Sequence, residues 1–102
     1  MEWQRAVAEA ELESSLGVRI GESPVALFRT EEGLFALDDV CSHEYSLLSE
    51  GEIDGGQVAC AKHGSRFDLR TGEVTGFPAT RRVRTWAVKA EGGWIWVAKT
   101  PA

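Results

Sequence analysis

The chain of 102 residues has two cysteines and two histidines, and they form two mixed pairs, Cys41-Ser42-His43 and Cys60-Ala61-Lys62-His63. Each pair is close enough in sequence for one short loop to aim both side chains at a common point, and sixteen residues lie between His43 and Cys60. Two such loops facing one another would supply two thiolates and two neutral imidazoles. Three uses of that set compete. The residues could be buried thiols and unrelated histidines, although the shared pairing speaks against it. They could form a structural zinc site, since two cysteines and two histidines are a normal tetrahedral set. Zinc-finger spacing, however, usually puts both cysteines on one knuckle and both histidines on the other. The third use is an iron–sulfur cluster in which one iron takes both thiolates and the other both imidazoles.

The elements that must hold these loops read as short strands. Val25-Ala-Leu-Phe-Arg29 and Leu34-Phe-Ala-Leu37 flank Thr30-Glu-Glu-Gly33, a hairpin pattern in which glycine supplies the turn. Arg82-Val-Arg-Thr-Trp-Ala-Val-Lys89 alternates polar and apolar residues and predicts one strand, paired through Ala90-Glu-Gly-Gly93 with Trp94-Ile-Trp-Val97. Further strands are expected over Trp3–Val7, Val18–Ile20, Gln57–Cys60 and Ser65–Asp68, with at most one helical turn in Glu9–Ser15. Gly55-Gly56 and Thr71-Gly72 punctuate turns. This pattern predicts an all-β fold: a small antiparallel sandwich or barrel, with a loop-rich segment from about Asp38 to Thr80 that carries both cysteines and both histidines. We expect a single domain over 1–102, with a base formed by 1–37 and 81–102 and a ligand-bearing subdomain at 38–80.

The spacing Cys-x-His followed by Cys-x-x-His resembles that of the Rieske proteins, and the likeness extends beyond the ligands. His63-Gly-Ser-Arg-Phe-Asp68 is similar to the second cluster loop of that family. Leu47-Leu-Ser-Glu-Gly51 resembles the segment after its first loop, and Gly76-Phe-Pro-Ala79 the proline loop that covers the cluster. The resemblance implies one [2Fe–2S] cluster, with Cys41 and Cys60 on the buried iron and His43 and His63 on the outer iron, and electrons passing through the histidine edge. Within the family the chain looks most like the ferredoxin components of multicomponent aromatic-ring-hydroxylating dioxygenases. One departure is Ala61, where many relatives have proline.

The high-potential members in respiratory and photosynthetic complexes carry two more cysteines joined by a disulfide, and a tyrosine that bonds a cysteine sulfur. The matching residues here are Ser46, Lys62 and Phe67. Ser65 is retained, and its hydroxyl either bonds a cluster sulfur or only shapes the turn. Fewer donors leave the sulfur charge less stabilised, so a potential low in the Rieske range, about −150 mV, is expected.

Both histidines would be spent on the cluster, which excludes the mononuclear iron of an oxygenase, held by two histidines and a carboxylate. No Gly-x-Gly-x-x-Gly turn provides a nicotinamide or flavin site. The resemblance therefore implies a one-electron carrier, not an enzyme, between an NAD(P)H-dependent flavin reductase and a terminal ring-hydroxylating oxygenase. Docking should be transient and the carrier a monomer. Lys62, Tyr45, Phe77 and Pro78 are candidate contacts, with a hydrophobic lid as the other reading of Phe77 and Pro78. The tryptophans sit on strand patterns and are expected in the core or on sheet faces. Other roles left open are a redox-sensing or fixed small Rieske subunit of another oxidoreductase, and the zinc module.

A formal charge of −5 disfavours nucleic acid as a partner. Acidic residues interrupt the first sixteen positions, so no secretory h-region is expected there, and no stretch approaches the roughly 18 apolar residues of a membrane span. These features predict a cytoplasmic protein in which a stable disulfide is disfavoured. Residues 1–54 carry thirteen acidic and three basic side chains, residues 55–102 three and eight. That asymmetry suits either two solvated faces or an acidic surface that steers a basic partner.

Overall fold

The computed structural model describes residues 1–42, 46–62 and 64–102. Among the described residues eleven strands follow in order: β1 (Trp3–Ala8), β2 (Ser15–Ile20), β3 (Ser23–Thr30), β4 (Gly33–Asp38), β5 (Glu52–Asp54), β6 (Gln57–Ala59), β7 (Arg66–Asp68), β8 (Val74–Gly76), β9 (Thr85–Trp86), β10 (Val88–Glu91) and β11 (Trp94–Ala98). Single 3-10 turns occupy Glu9–Glu11 and Leu48–Glu50. The all-β expectation is borne out.

The strands form three antiparallel sheets. Two make the base, in the orders β1-β11-β10 and β2-β3-β4-β9, and the third, β5-β6-β7-β8, lies within the ligand-bearing region. The alternating run from Arg82 to Lys89 is not one strand. Trp86 pairs with Ala36 of β4, whereas Val88 pairs with Val97 of β11, so the chain changes sheets at Ala87. Alternation of polar and apolar residues does not register such a corner, because both sheets face the same interior. Strands β5 and β8 are three residues each and lack the length for a periodic signal.

Strand β3 explains why the two regions hold together. Its residues Val25, Ala26, Leu27 and Phe28 are all fully buried. Side chains of a strand alternate between faces. Accordingly Val25 and Leu27 join a core shared by the two base sheets, with Ile20, Ala36, Trp86, Ile95 and Val97. Ala26 and Phe28 face a second core with Leu37, Leu48, Val58, Phe67, Leu69, Cys41 and Cys60. Complete burial of these side chains, each contributing on the order of 1.5–3 kcal/mol for the larger ones, makes β3 the wall common to both cores.

Asp38, at the end of β4, fixes the returning chain. Its carboxylate accepts hydrogen bonds from Arg84 N (3.0 Å), Arg84 Nε (2.9 Å) and the indole Nε1–H of Trp86 (3.0 Å). The hydrogen bond to Asp38, and then its Coulombic attraction, raise the pKa of Arg84 above the ordinary arginine value, against a small opposing effect of burial. The charge asymmetry between the halves is partly absorbed in this way. Asp54–Arg66, Glu32–Arg70, Asp38–Arg84 and Glu2–Lys99 all join an acidic residue of the first half to a basic one of the second. Exposed pairs of this kind contribute about 0–1 kcal/mol each.

Candidate metal centre

The two cysteines open loops of matched construction. Cys41 N donates to Ser46 O (2.8 Å), and Cys60 N donates to Ser65 O (2.7 Å), so each loop closes across six residues. In the second loop Gly64 N also donates to Cys60 O (3.0 Å), and Gly64 takes a φ of 75°. That left-handed conformation favours glycine. Both cysteines are almost wholly buried, at 3% and 2% exposure, in the same apolar core. Of the four sequence-predicted ligands, the structure brings Cys41 and Cys60 to one core; His43 and His63 lie outside the described residues, as does Tyr45.

A third loop, 76–81, is tied to both. The hydroxyl of Ser42, between Cys41 and His43, donates to Arg81 O. From the other side, the hydroxyl oxygen of Ser65 accepts the amide of Ala79 at 3.0 Å. Ser65 and Ala79 are fully buried, and Val83 follows them into the core. Phe77, by contrast, is 84% exposed. Pro78 and Lys62 are also exposed. The braces through Ser42 and Ser65 were not foreseen for Ser42; a serine between two ligands gives no sequence signal of a partner 39 positions away.

The arrangement fits an iron–sulfur cluster. Thiolates are soft donors that suit iron or zinc, and here two of them issue from matched loops into one dry core. Ser65 adds a buried hydroxyl whose proton no described residue accepts, a donor of the kind that cluster sulfur employs. Opposite this, Phe67 is completely buried and brings no hydroxyl. Nearby, Glu50 and Glu52 line an open groove of about 400 Å³ with Cys60, Ala61 and Gly64. Among the described residues no helix is long and apolar enough to cross a membrane.

A β base that presents two Cys-containing loops and a bracing third loop is the build of a cluster-binding domain. Residues 2–87 match the family model of the Rieske [2Fe–2S] domain, and the chain belongs to that family. Its cofactor is accordingly one [2Fe–2S] cluster, and family membership, not the donor count, decides against zinc. The chain is 35% identical over 92 residues to the ferredoxin component of the naphthalene 1,2-dioxygenase system of Pseudomonas aeruginosa, covering 88% of each. It is 43% identical over 74 residues to that of the p-cumate 2,3-dioxygenase system of Pseudomonas putida, covering 72% of this chain and 63% of that relative. Among solved structures it is similar to the ferredoxin of carbazole 1,9a-dioxygenase from Nocardioides aromaticivorans IC177, with a TM-score of 0.89 and 26% identity over 96% of this chain and 98% of the other. A complex of reduced oxygenase and oxidized ferredoxin in carbazole 1,9a-dioxygenase contains a similar chain, with a TM-score of 0.89, 29% identity, and coverage of 98% and 95%.

Proposed function

We propose that this chain is the ferredoxin of a multicomponent aromatic-ring-hydroxylating oxygenase system, carrying single electrons from an NAD(P)H-dependent flavin reductase to the terminal oxygenase. The kinship with dioxygenase ferredoxins over nearly nine-tenths of the chain supports this reading. The observation that carries the site is the pair of matched loops with buried Cys41 and Cys60. Cys41 and Cys60 would hold the inner iron, and His43 and His63 the outer one. When bound, the cluster takes up and releases one electron.

The protein's own part is to seat, dry and tune that group. Leu48, Val58, Phe67 and Ala79 exclude water around the thiolates. Ser42 and Ser65 fix the bracing loop over them. Ser65 would donate a hydrogen bond from its hydroxyl to a cluster sulfur, while Phe67, Ser46 and Lys62 supply neither the tyrosine hydroxyl nor the disulfide of high-potential relatives. A low potential, near −150 mV, follows.

The carrier works as a monomer in the cytoplasm and docks transiently, with Phe77, Pro78 and Lys62 on the docking face. Among the described residues the exposed large hydrophobic side chains are Met1, Phe77 and Trp94, which suits a small interface. Electron paramagnetic resonance of anaerobically purified, dithionite-reduced protein tests the ligand set. A Rieske-type signal and a lowered midpoint in His43→Cys are expected. Absence of iron and inorganic sulfide would sink the assignment, and a midpoint above zero the low-potential reading.

A further inference from the structure

Strand β5 is the outer strand of the sheet β5-β6-β7-β8, and one side of it is bare. It turns into β6 through Gly55-Gly56, whose φ values of 57° and 84° make a two-residue hairpin. Such a turn closes on a hydrogen-bonded pair, here Asp54 with Gln57, and bonded and non-bonded pairs then alternate along an antiparallel ladder. Ile53, opposite Val58, falls on a non-bonded pair, so its N–H and C=O point away from β6. No described residue meets either group. Alongside lies an open groove of about 590 Å³, lined by Ser14, Ser15, Ile53, Ala59 and Arg66 among others. It shares Gly51, Glu52 and Ala59 with the groove that reaches Cys60 and Gly64, so the bare edge leads to the second ligand loop.

A free donor and a free acceptor on one strand residue are a template for another extended backbone. A second copy of this chain is a poor occupant. In an antiparallel pair centred on Ile53, Glu52 of one copy would oppose Asp54 of the other, and like charges directly opposite destabilise a sheet. The same geometry favours a segment with a basic residue on each side of an apolar one. Its basic residues would oppose Glu52 and Asp54, which share one face of β5. Its apolar residue would oppose Ile53, half-buried against the core that holds Cys41 and Cys60. Asp54 is met by Arg66 at 3.7 Å, whereas no cation among the described residues pairs with Glu50 or Glu52. We propose that the free edge of β5 receives an extended basic–apolar–basic segment of the terminal oxygenase, an inference that rests on the role of electron carrier to such an oxygenase proposed above. Backbone pairing at Ile53 seats the partner beside the second ligand loop, and the carboxylates select its charge.

Two capped, fluorescently labelled peptides test this on the intact, oxidised holoprotein. One is Thr-Lys-Val-Lys-Thr; the other is the same peptide N-methylated at its valine, which keeps the charge and loses the N–H that would donate to Ile53 O. Fluorescence anisotropy at low ionic strength should show binding of the first, and binding of the second weaker by roughly fivefold or more, the loss of one ordinary amide bond. Glu52→Lys, at an exposed position, should weaken the first peptide roughly threefold and slow stopped-flow electron transfer to the oxygenase. The unmethylated peptide should slow that transfer in the wild type as well. Equal binding of the two peptides, or binding of neither, overturns the strand pairing, and continued wild-type transfer to the oxygenase leaves the carrier role standing. A peptide that slows reduction by the reductase and leaves transfer to the oxygenase unchanged overturns the oxygenase as the occupant. A cluster-loaded wild type that reduces no oxygenase overturns the carrier role, and this proposal with it.

Discussion

Replacing Asp38 by alanine should cost the protein more stability than its position on a half-open surface suggests. Three donors converge on this carboxylate, and they lose it unequally. The indole N–H of Trp86 sits at a residue only 4% exposed, so it is left without an acceptor where water enters poorly. Such an orphaned donor costs about 1–3 kcal/mol. The lost bond to Arg84 N adds about 1 kcal/mol. The guanidinium pair adds about 0.5 kcal/mol, discounted because the Arg84 side chain is 55% exposed. The whole is roughly 3 kcal/mol, and at about 4–8 °C per kcal/mol for a domain of this size the unfolding midpoint should fall by roughly 15 °C. Anaerobic thermal unfolding followed by circular dichroism reads it. A cycle with Trp86→Phe isolates the indole: the double variant has no orphaned N–H, so a coupling of about 1 kcal/mol or more is expected. Because the pKa of Arg84 is raised on folding, its contribution is complete below the unfolded-state value and is lost only as pH rises through the folded-state one. The effect of Asp38→Ala should therefore be the same at about pH 6 and about pH 9. A loss under about 1 kcal/mol, or an additive cycle, would refute the reasoning.

Other substitutions probe the loops directly. Gly51→Ala would place a Cβ 2.0 Å from the carbonyl oxygen of Ala59, the residue before Cys60. It should destabilise by about 1–3 kcal/mol and lower the iron content measured per chain, whereas equal occupancy would contradict the contact. Ser65→Ala removes both the acceptor of Ala79 N and the donor assigned to a cluster sulfur, so voltammetry should show a more negative midpoint. Phe77→Ala, at a side chain 84% exposed, should change stability by no more than about 0.5 kcal/mol while slowing stopped-flow electron transfer to the oxygenase. Unchanged transfer would remove Phe77 from the docking face.

Much of this was legible because alternation and turn residues were strong where strands are long. The hairpin of β3 and β4 falls where Thr30-Glu-Glu-Gly33 places it, and β10 and β11 meet through Gly92-Gly93, both with positive φ. The break at Ala87 was hidden because a change of sheet leaves the polar–apolar rhythm intact. Of the tryptophans on strand patterns, Trp86 lies in the core shared by the base sheets, while Trp94 is 37% exposed. At the site, the Cys–His pairs announced themselves by type and spacing. Ser42 did not, since its value lies in a partner at long sequence separation, which a single chain of letters cannot display.

Strand β3 has one last consequence. Ala26 and Phe28 come from the base, yet they complete the apolar packing around Cys41 and Cys60. The stretch from Asp39 to Thr80 therefore has an interior that is incomplete by itself. Cut out as a peptide, or transplanted onto a foreign scaffold without this strand and Leu37 beneath it, it would expose that packing to water. A working graft must carry the supporting hairpin with it.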